Sequence, residues 1–498
     1  MANVVQSAVS GTTGIHSGRC DRLPLARELG IGVPLARSSE APVRAKTTMM
    51  VVLCAVFAVV PAISIGQASP PVPLTLDDAV AEACAGNPEI LLATASQGGA
   101  TADVRAARAA MLPRIRGAES ATESTDPVFA FGARLRQGRF TNADFSAPFL
   151  NDPGPTSDYM STAALDWTVF DSGRARHAIR GAQAALTASR RQANAAAQNV
   201  AFATIRAYYR ALLADDEKAT TLAAVKRAQA FARETRDRVD AGMALGADAM
   251  QADVELAQRQ EDEKEAESNS ALSYSALAAT LGDPSKTFIL AVPPGTPGEI
   301  AKPLPVLQQE ALRKRPDLLA LHNRVVSATE QVKTSRSAFG PQVGTFANVQ
   351  ADNPHPLGGG ATNWTVGGKI EWQIFDGGAR RAAVSKASAD AQIAQAALKQ
   401  LEIQAVLDVQ SAFYARQTAQ RKYAISDAML SETQESLRTA QDRYRAGLVT
   451  VSEVLRQQEQ FDAMDLNRTQ ALHQWWIASA QLRLATGELV LPAAEVKP

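Results

Sequence analysis

A mainly α-helical chain with a smaller membrane-spanning β-portion is the fold class that three features of these 498 residues predict. They are a tandem repeat, two long proline-free stretches of helix-forming composition, and four short segments in which apolar and polar residues alternate. Each repeat reads as a helix, two short strands and two long helices. Residues 1–68 precede the repeats, the first of which covers 69–290 and the second 291–498.

Composition sets the outer bounds. Lys+Arg and Asp+Glu number 51 each, which argues against a nucleic-acid partner, since such proteins show a basic excess or patch. The three cysteines, Cys20, Cys54 and Cys84, have neither CxxC nor Cys/His spacing, so neither a disulfide scaffold nor a metal centre is expected. The five histidines are scattered, and the chain has no HExxH, GxxxxGK[ST], GxSxG or GxGxxG run. No catalytic residue, cofactor or metal ligand is expected.

At the N-terminus, Arg44 and Lys46 precede an apolar run from Met49 to Ile65 and the small residues Gly66-Gln67-Ala68. That order is a secretory signal with cleavage near Ala68, and translation starting at Met49 or Met50 would fit it. A single membrane anchor is the other reading, because about 17 apolar residues sit at the lower limit for crossing a bilayer. Beyond Ala68 no stretch approaches the length of a transmembrane helix, so a chain that spans a membrane there must do so as a closed β-barrel.

The repeat is read from matched residues. Trp167-Thr-Val-Phe-Asp-Ser-Gly173 matches Trp372-Gln-Ile-Phe-Asp-Gly-Gly378 at an offset of 205, as do Arg238–Gly242 with Arg443–Gly447 and Gly282 with Gly487. Upstream the offset is 228, pairing Asn87-Pro88 with Arg315-Pro316 and Pro113 with Pro341. An insertion of 23 residues therefore lies between Pro113 and Trp167.

Residues 75–111 and 304–338 carry helical spacing and end at Pro113 and Gly340-Pro341, where proline stops a helix. Ala379–Ala446 contains neither Gly nor Pro over 68 residues, about 100 Å of helix if continuous. Within it Tyr423, Leu430, Leu437 and Tyr444 recur every seven residues, and Val225, Ala232 and Val239 repeat the pattern in the first half. Such a seam implies coiled-coil packing, and the many alanines beside it allow close approach. A lone solvated helix pair is the simpler alternative.

The strands are expected at about 113–124, 158–171, 341–351 and 363–376. In the last, Trp364, Val366, Gly368, Ile370, Trp372 and Ile374 fall on one face, with Lys369, Glu371 and Gln373 among the residues opposite. Leu165, Trp167 and Val169 copy the apolar face, with Asp166 behind them. The apolar sets are assigned to lipid and the polar sets to a lumen. Glu119 falls on the lipid side and spoils the pattern of the first strand. Four strands cannot close a barrel, but three copies supply twelve, so a homotrimer leaves no exposed edge. Trp167, Trp364 and Trp372 suit an interfacial aromatic belt, or else pack on a neighbouring helix. The loop from Asp126 to Pro155, with five phenylalanines, either folds into the barrel mouth or packs its rings together.

These features together resemble the TolC family of outer-membrane efflux and secretion channels, over nearly all of the chain beyond the leader. The resemblance rests on the duplicated order and on the Phe-Asp-x-Gly turns at Phe170–Gly173 and Phe375–Gly378. It implies a trimeric twelve-stranded barrel continued by a coiled-coil α-barrel across the periplasm, docking at its tip to an adaptor protein and an inner-membrane pump of RND, ABC or MFS type. It also implies a tip motif, Gly followed six residues later by an acid, met by Gly242 with Asp248 and by Gly447 with Glu453. Tyr444 is similar to a tyrosine of the family's closed-state network. Val449 and Arg456 depart from the pattern, standing where a gating arginine and a second pore-lining acid are expected. The competing function is a soluble periplasmic coiled-coil scaffold or adaptor.

Overall fold

A computed structural model of the chain describes residues 73–489, apart from 294, 300, 301, 357 and 359. The signal sequence expected within 1–68, with Cys20 and Cys54, lies outside the described residues. Among the described residues no helix is long and apolar enough to cross a membrane.

The element order is α1 (Leu76–Gly86), α2 (Pro88–Ala109), β1 (Arg114–Ser124), α3 (Pro127–Arg136), α4 (Ala147–Asn151), β2 (Thr156–Phe170), α5 (Arg174–Asp240), α6 (Gly246–Leu281), then α7 (Leu304–Lys314), α8 (Pro316–Ser337), β3 (Gln342–Asn353), β4 (Ala361–Glu371), α9 (Ala379–Arg445) and α10 (Val451–Ala485). The segments expected to be single helices, 75–111 and 304–338, are each broken in two. Pro88 and Pro316 have no N–H and open the second helix, and a residue before proline is driven out of helical backbone. Asn87, at ψ 130°, closes α1 and caps α2 by accepting from the Glu89 N–H at 2.9 Å.

α5 and α9 are each 67 residues long, about 100 Å at 1.5 Å per residue. Their interior is built on alanine: Ala184, Ala188, Ala195, Ala201 and Ala211 on α5, and Ala387, Ala391, Ala405, Ala412 and Ala419 on α9, are buried. Of the seven-residue seam, Ala232, Leu437 and Tyr444 are buried, and Val225, Val239, Tyr423 and Leu430 half-buried. A larger apolar centre gathers the N-terminal segment, α5 and the ends of α6 and α10 around Tyr208, Tyr209 and Leu277. There Leu74 bridges Leu290, and the Tyr208 hydroxyl donates to the Leu74 carbonyl at 2.9 Å.

The four strands form one antiparallel sheet in the order β1-β2-β3-β4. β2 and β3 belong to different repeats yet are hydrogen-bonded neighbours, so the two repeats share one continuous sheet within one compact unit.

Candidate functional site

The strand-to-helix turns explain why the Phe-Asp-x-Gly motif occurs twice. Asp171 accepts from the N–H groups of Gly173 (3.1 Å) and Ala175 (2.7 Å), and Asp376 from those of Gly378 (3.1 Å) and Arg380 (3.0 Å). Each aspartate thus satisfies the open N-terminus of a 67-residue helix, while Gly173 (φ +86°) and Gly378 (φ +94°) take the left-handed conformation that turns the chain.

Register fixes which side chains share a face. Ile115, Leu165, Ala347 and Val366 form one cross-strand row, and Gly117, Ala163, Val349 and Trp364 the next. Val343 pairs with Ile370, and Trp167 with Thr345, on the same face. A bulge between Thr168 and Phe170 disturbs the register at the end of β2, beside Val169. Trp364, Val366 and Ile370 are 73%, 66% and 77% exposed, so this apolar face is uncovered within one protomer. From Ile370 to Trp364 it rises about 20 Å at 3.4 Å per residue.

The opposite face carries Asp166, Lys369 and Glu371, with Arg116 bonded to Asp166. Phe346 also lies there, its ring against the backbone of Gly367, where any side chain would collide with it.

β4 ends sooner than its alternation suggests. Gln342–Glu371 is the last pair, because β3 begins only after Gly340-Pro341, so Trp372, Gln373 and Ile374 have no partner strand. Within one protomer they lie beyond the paired part of β4. Trp372 is instead held by its indole N–H, which donates to the Phe339 carbonyl at 2.9 Å. The indole of Trp167 does the same to Met111 at 3.0 Å. Met111 and Phe339 are repeat equivalents, so both tryptophans clamp a helix-to-strand corner, with Trp167 42% and Trp372 61% exposed. Glu119 faces the same side as Leu165, opposite Ser161, whose hydroxyl it binds one row beyond Trp364.

The loop between β1 and β2 is ordered into α3, a short 3-10 turn and α4. Phe131, Phe140 and Phe145 pack edge to face, with centroids 4.8 to 6.2 Å apart. Arg134 lies over Phe149 and bonds Asp144 at 2.6 Å. Arg136 reaches Asp352 (3.2 Å) and Asp158 (3.5 Å), and Gln137 donates to Asp158 at 3.0 Å. Both aspartates are buried, and by alternation they share the face of Asp166. The rings of the insertion therefore pack together, which was one of the two readings, and its Arg136 and Gln137 bind the polar face of the sheet at the end farthest from the long helices.

At the other end, α5 and α9 close in matching turns. The N–H groups of Gly242 and Met243 return to Val239 and Arg238, and those of Gly447 and Leu448 to Tyr444 and Arg443, all at 2.7 to 2.9 Å. Glycine at φ +72° and +73° makes this helix stop possible. Asp248 then caps α6 by accepting from the Leu245 N–H at 3.1 Å. Glu453 makes no such cap. Arg456 donates to it at 2.6 Å and Gln457 at 3.2 Å, and these bonds hold its carboxyl below the usual range.

Tyr444 is buried against Phe231, Val451 and Val454, with the Arg238 guanidinium 4.9 Å above its ring. Arg238 also donates to the Arg445 carbonyl (3.1 Å), and Arg445 bonds Glu234 (3.1 Å), so the two hairpins are tied together. Around them Met243, Leu245, Met250, Val254 and Leu448 are 65 to 74% exposed. Among the described residues no group of His, Cys, Asp or Glu has the geometry to hold a metal.

The family model described as outer membrane efflux protein matches residues 79–283 and 307–488. Protein CyaE of Bordetella pertussis is 27% identical over 353 residues, covering 70% of this chain and 73% of that one. Outer membrane protein OprJ of Pseudomonas aeruginosa is 29% identical over 182 residues, 35% of this chain and 37% of its own. Among solved structures, the CmeC outer membrane channel of Campylobacter jejuni superposes with a TM-score of 0.72 at 18% identity, covering 84% and 86% of the two chains. VceC of Vibrio cholerae gives 0.70 at 21%, covering 83% and 96%. At these identities the structural likeness speaks for the fold.

Proposed function

This chain belongs to the outer membrane efflux protein family, and from that premise we propose how its residues build the duct. The protein is an outer-membrane exit duct of a tripartite efflux or secretion system, extending into the periplasm. Three copies join β1 of one to β4 of the next, closing twelve strands so that no edge is left unpaired. Leu165, Trp167, Val169, Trp364, Val366 and Ile370 meet lipid, with Trp372 at the periplasmic border, while Asp166, Lys369 and Glu371 line the water-filled side. The observation that carries this reading is the sheet: two free edges, one uncovered apolar face about 20 Å long measured along the strand, and a charged face behind it.

At the periplasmic end, the exposed Met243, Leu245, Met250, Val254 and Leu448 form the adaptor-docking surface. The Arg238–Tyr444 and Arg445–Glu234 ties hold the tip closed, and Glu453 with Arg456 presents a charge-balanced rim to the pore. The duct performs no catalysis. The inner-membrane pump, of RND, ABC or MFS type, supplies energy and selects cargo.

Sodium carbonate extraction, followed by light scattering of the detergent-solubilised protein, tests the assembly. The expected result is retention in the membrane pellet and the mass of a trimer. Release as a soluble monomer or dimer would replace the duct with a periplasmic scaffold.

A further inference from the structure

About midway along the long helices, between α5, α9, α10 and the segment that joins α6 to α7, lies a cavity of about 380 Å³. One side is apolar: Tyr209 and Trp476 stack at 5.5 Å, and Ile205 and Leu307 continue the wall. On the other side stands Arg416, only 5% exposed. Its Nε donates to Ser479 Oγ at 2.9 Å and its Nη2 to the Gly298 carbonyl, both neutral groups, while the buried Nη1 has no partner among the described residues. The carboxylates that line the same cavity do not neutralise it: Glu488 bonds Lys314 and Lys302, and Glu299 forms no ion pair among the described residues.

A buried guanidinium with neutral partners alone is costly, because burial strips its hydration and no carboxylate compensates. Burial, and then the nearby Arg483, pull its pKa down. The fold does not demand an arginine at this point of the helix. The repeat-equivalent residue on α5, 205 positions earlier, is Ala211, fully buried.

We propose that this cavity is a carboxylate-binding site, in which Arg416 holds the anion and Tyr209 and Trp476 receive the apolar group attached to it. A guanidinium fork suits a carboxylate, which can accept from the Nη1 donors; the Ser479 hydroxyl, already donating to the Trp475 carbonyl at 2.7 Å, only positions the Arg416 fork. The carboxylate has two possible sources, a small periplasmic acid or Glu495 of this chain. Glu495 lies six positions beyond Leu489 at the cavity rim, a reach of about 20 Å when extended.

Calorimetric titration of the full-length protein in detergent with benzoate, and with benzamide as its uncharged counterpart, tests this. Benzoate is expected to bind and benzamide not, with Arg416→Gln weakening benzoate at least tenfold. Should that variant fail to fold, Arg416→Lys, which keeps the charge but loses the fork, is expected to weaken benzoate in the same direction. If wild type takes no benzoate but Glu495→Gln does, the site stands and the chain's own tail fills it. Absence of benzoate binding in both, or equal binding to wild type and Arg416→Gln, overturns the proposal. Bilayer conductance of Arg416→Gln is expected to equal wild type, which keeps this outcome separate from the duct itself.

Discussion

At the residue scale, Arg136 is the side chain with the most to lose. Its removal leaves Asp158 and Asp352 buried on the polar face without their cation, at a cost of about 1–3 kcal/mol. Arg136→Ala is expected to free the insertion, raising single-channel conductance and opening 126–155 to protease at the cell surface. Unchanged conductance would mean that the insertion does not narrow the exit. The tip offers a second test. Glu453 is held below the ordinary carboxylate range, so its bonded, ionised state is complete above that range and is lost only as pH falls through the lowered value. Glu453→Ala is therefore expected to change the reversal potential by the same amount at pH 5.5 and 7.5, and a difference between the two would show a group titrating in that window. Some of these residues were legible in sequence. Gly242 and Gly447 announce a left-handed stop because few other residues accept one. Arg136 and Phe346 were not, since their partners lie on other elements and alternation alone places a phenylalanine in a polar row without saying that Gly367 receives it.

At the scale of elements, the faces of the sheet can be tested. Ile370→Asp puts a charge on the apolar face and is expected to abolish the heat-modifiable trimer, whereas Thr365→Asp, on the polar face, is expected to leave it. Equal effects would refute the assignment. The long helices make a different demand. α5 and α9 have equal length, and removing seven residues from one shortens it by about 10 Å while keeping its seam. Deleting a heptad from α9 alone is expected to abolish export, and deleting matched heptads from both to restore it. Export surviving the single deletion would show that the two need not end together. Helix length was readable as missing glycine and proline. The breaks at Pro88 and Pro316 are hidden from periodicity because the apolar spacing runs on through them, and the end of β4 because strand ends are set by the partner: Ile374 alternates well, but β3 does not reach it.

At the scale of the whole molecule, a secreted helical chain with four alternating strands pointed to a barrel of several copies, since a sheet with open edges in lipid is untenable. The ordered insertion and the buried Arg416 were not visible at that scale, because both depend on long-range contacts that no local pattern records. The two free edges have a further, genetic consequence. In the proposed trimer, a subunit whose β1 cannot pair still offers a sound β4, so it is expected to enter assemblies and spoil them. Expressed equally with wild type, such a subunit would leave only about one assembly in eight built from three intact copies, so damage to an edge strand should behave as a dominant trait, while loss of the whole chain should be recessive.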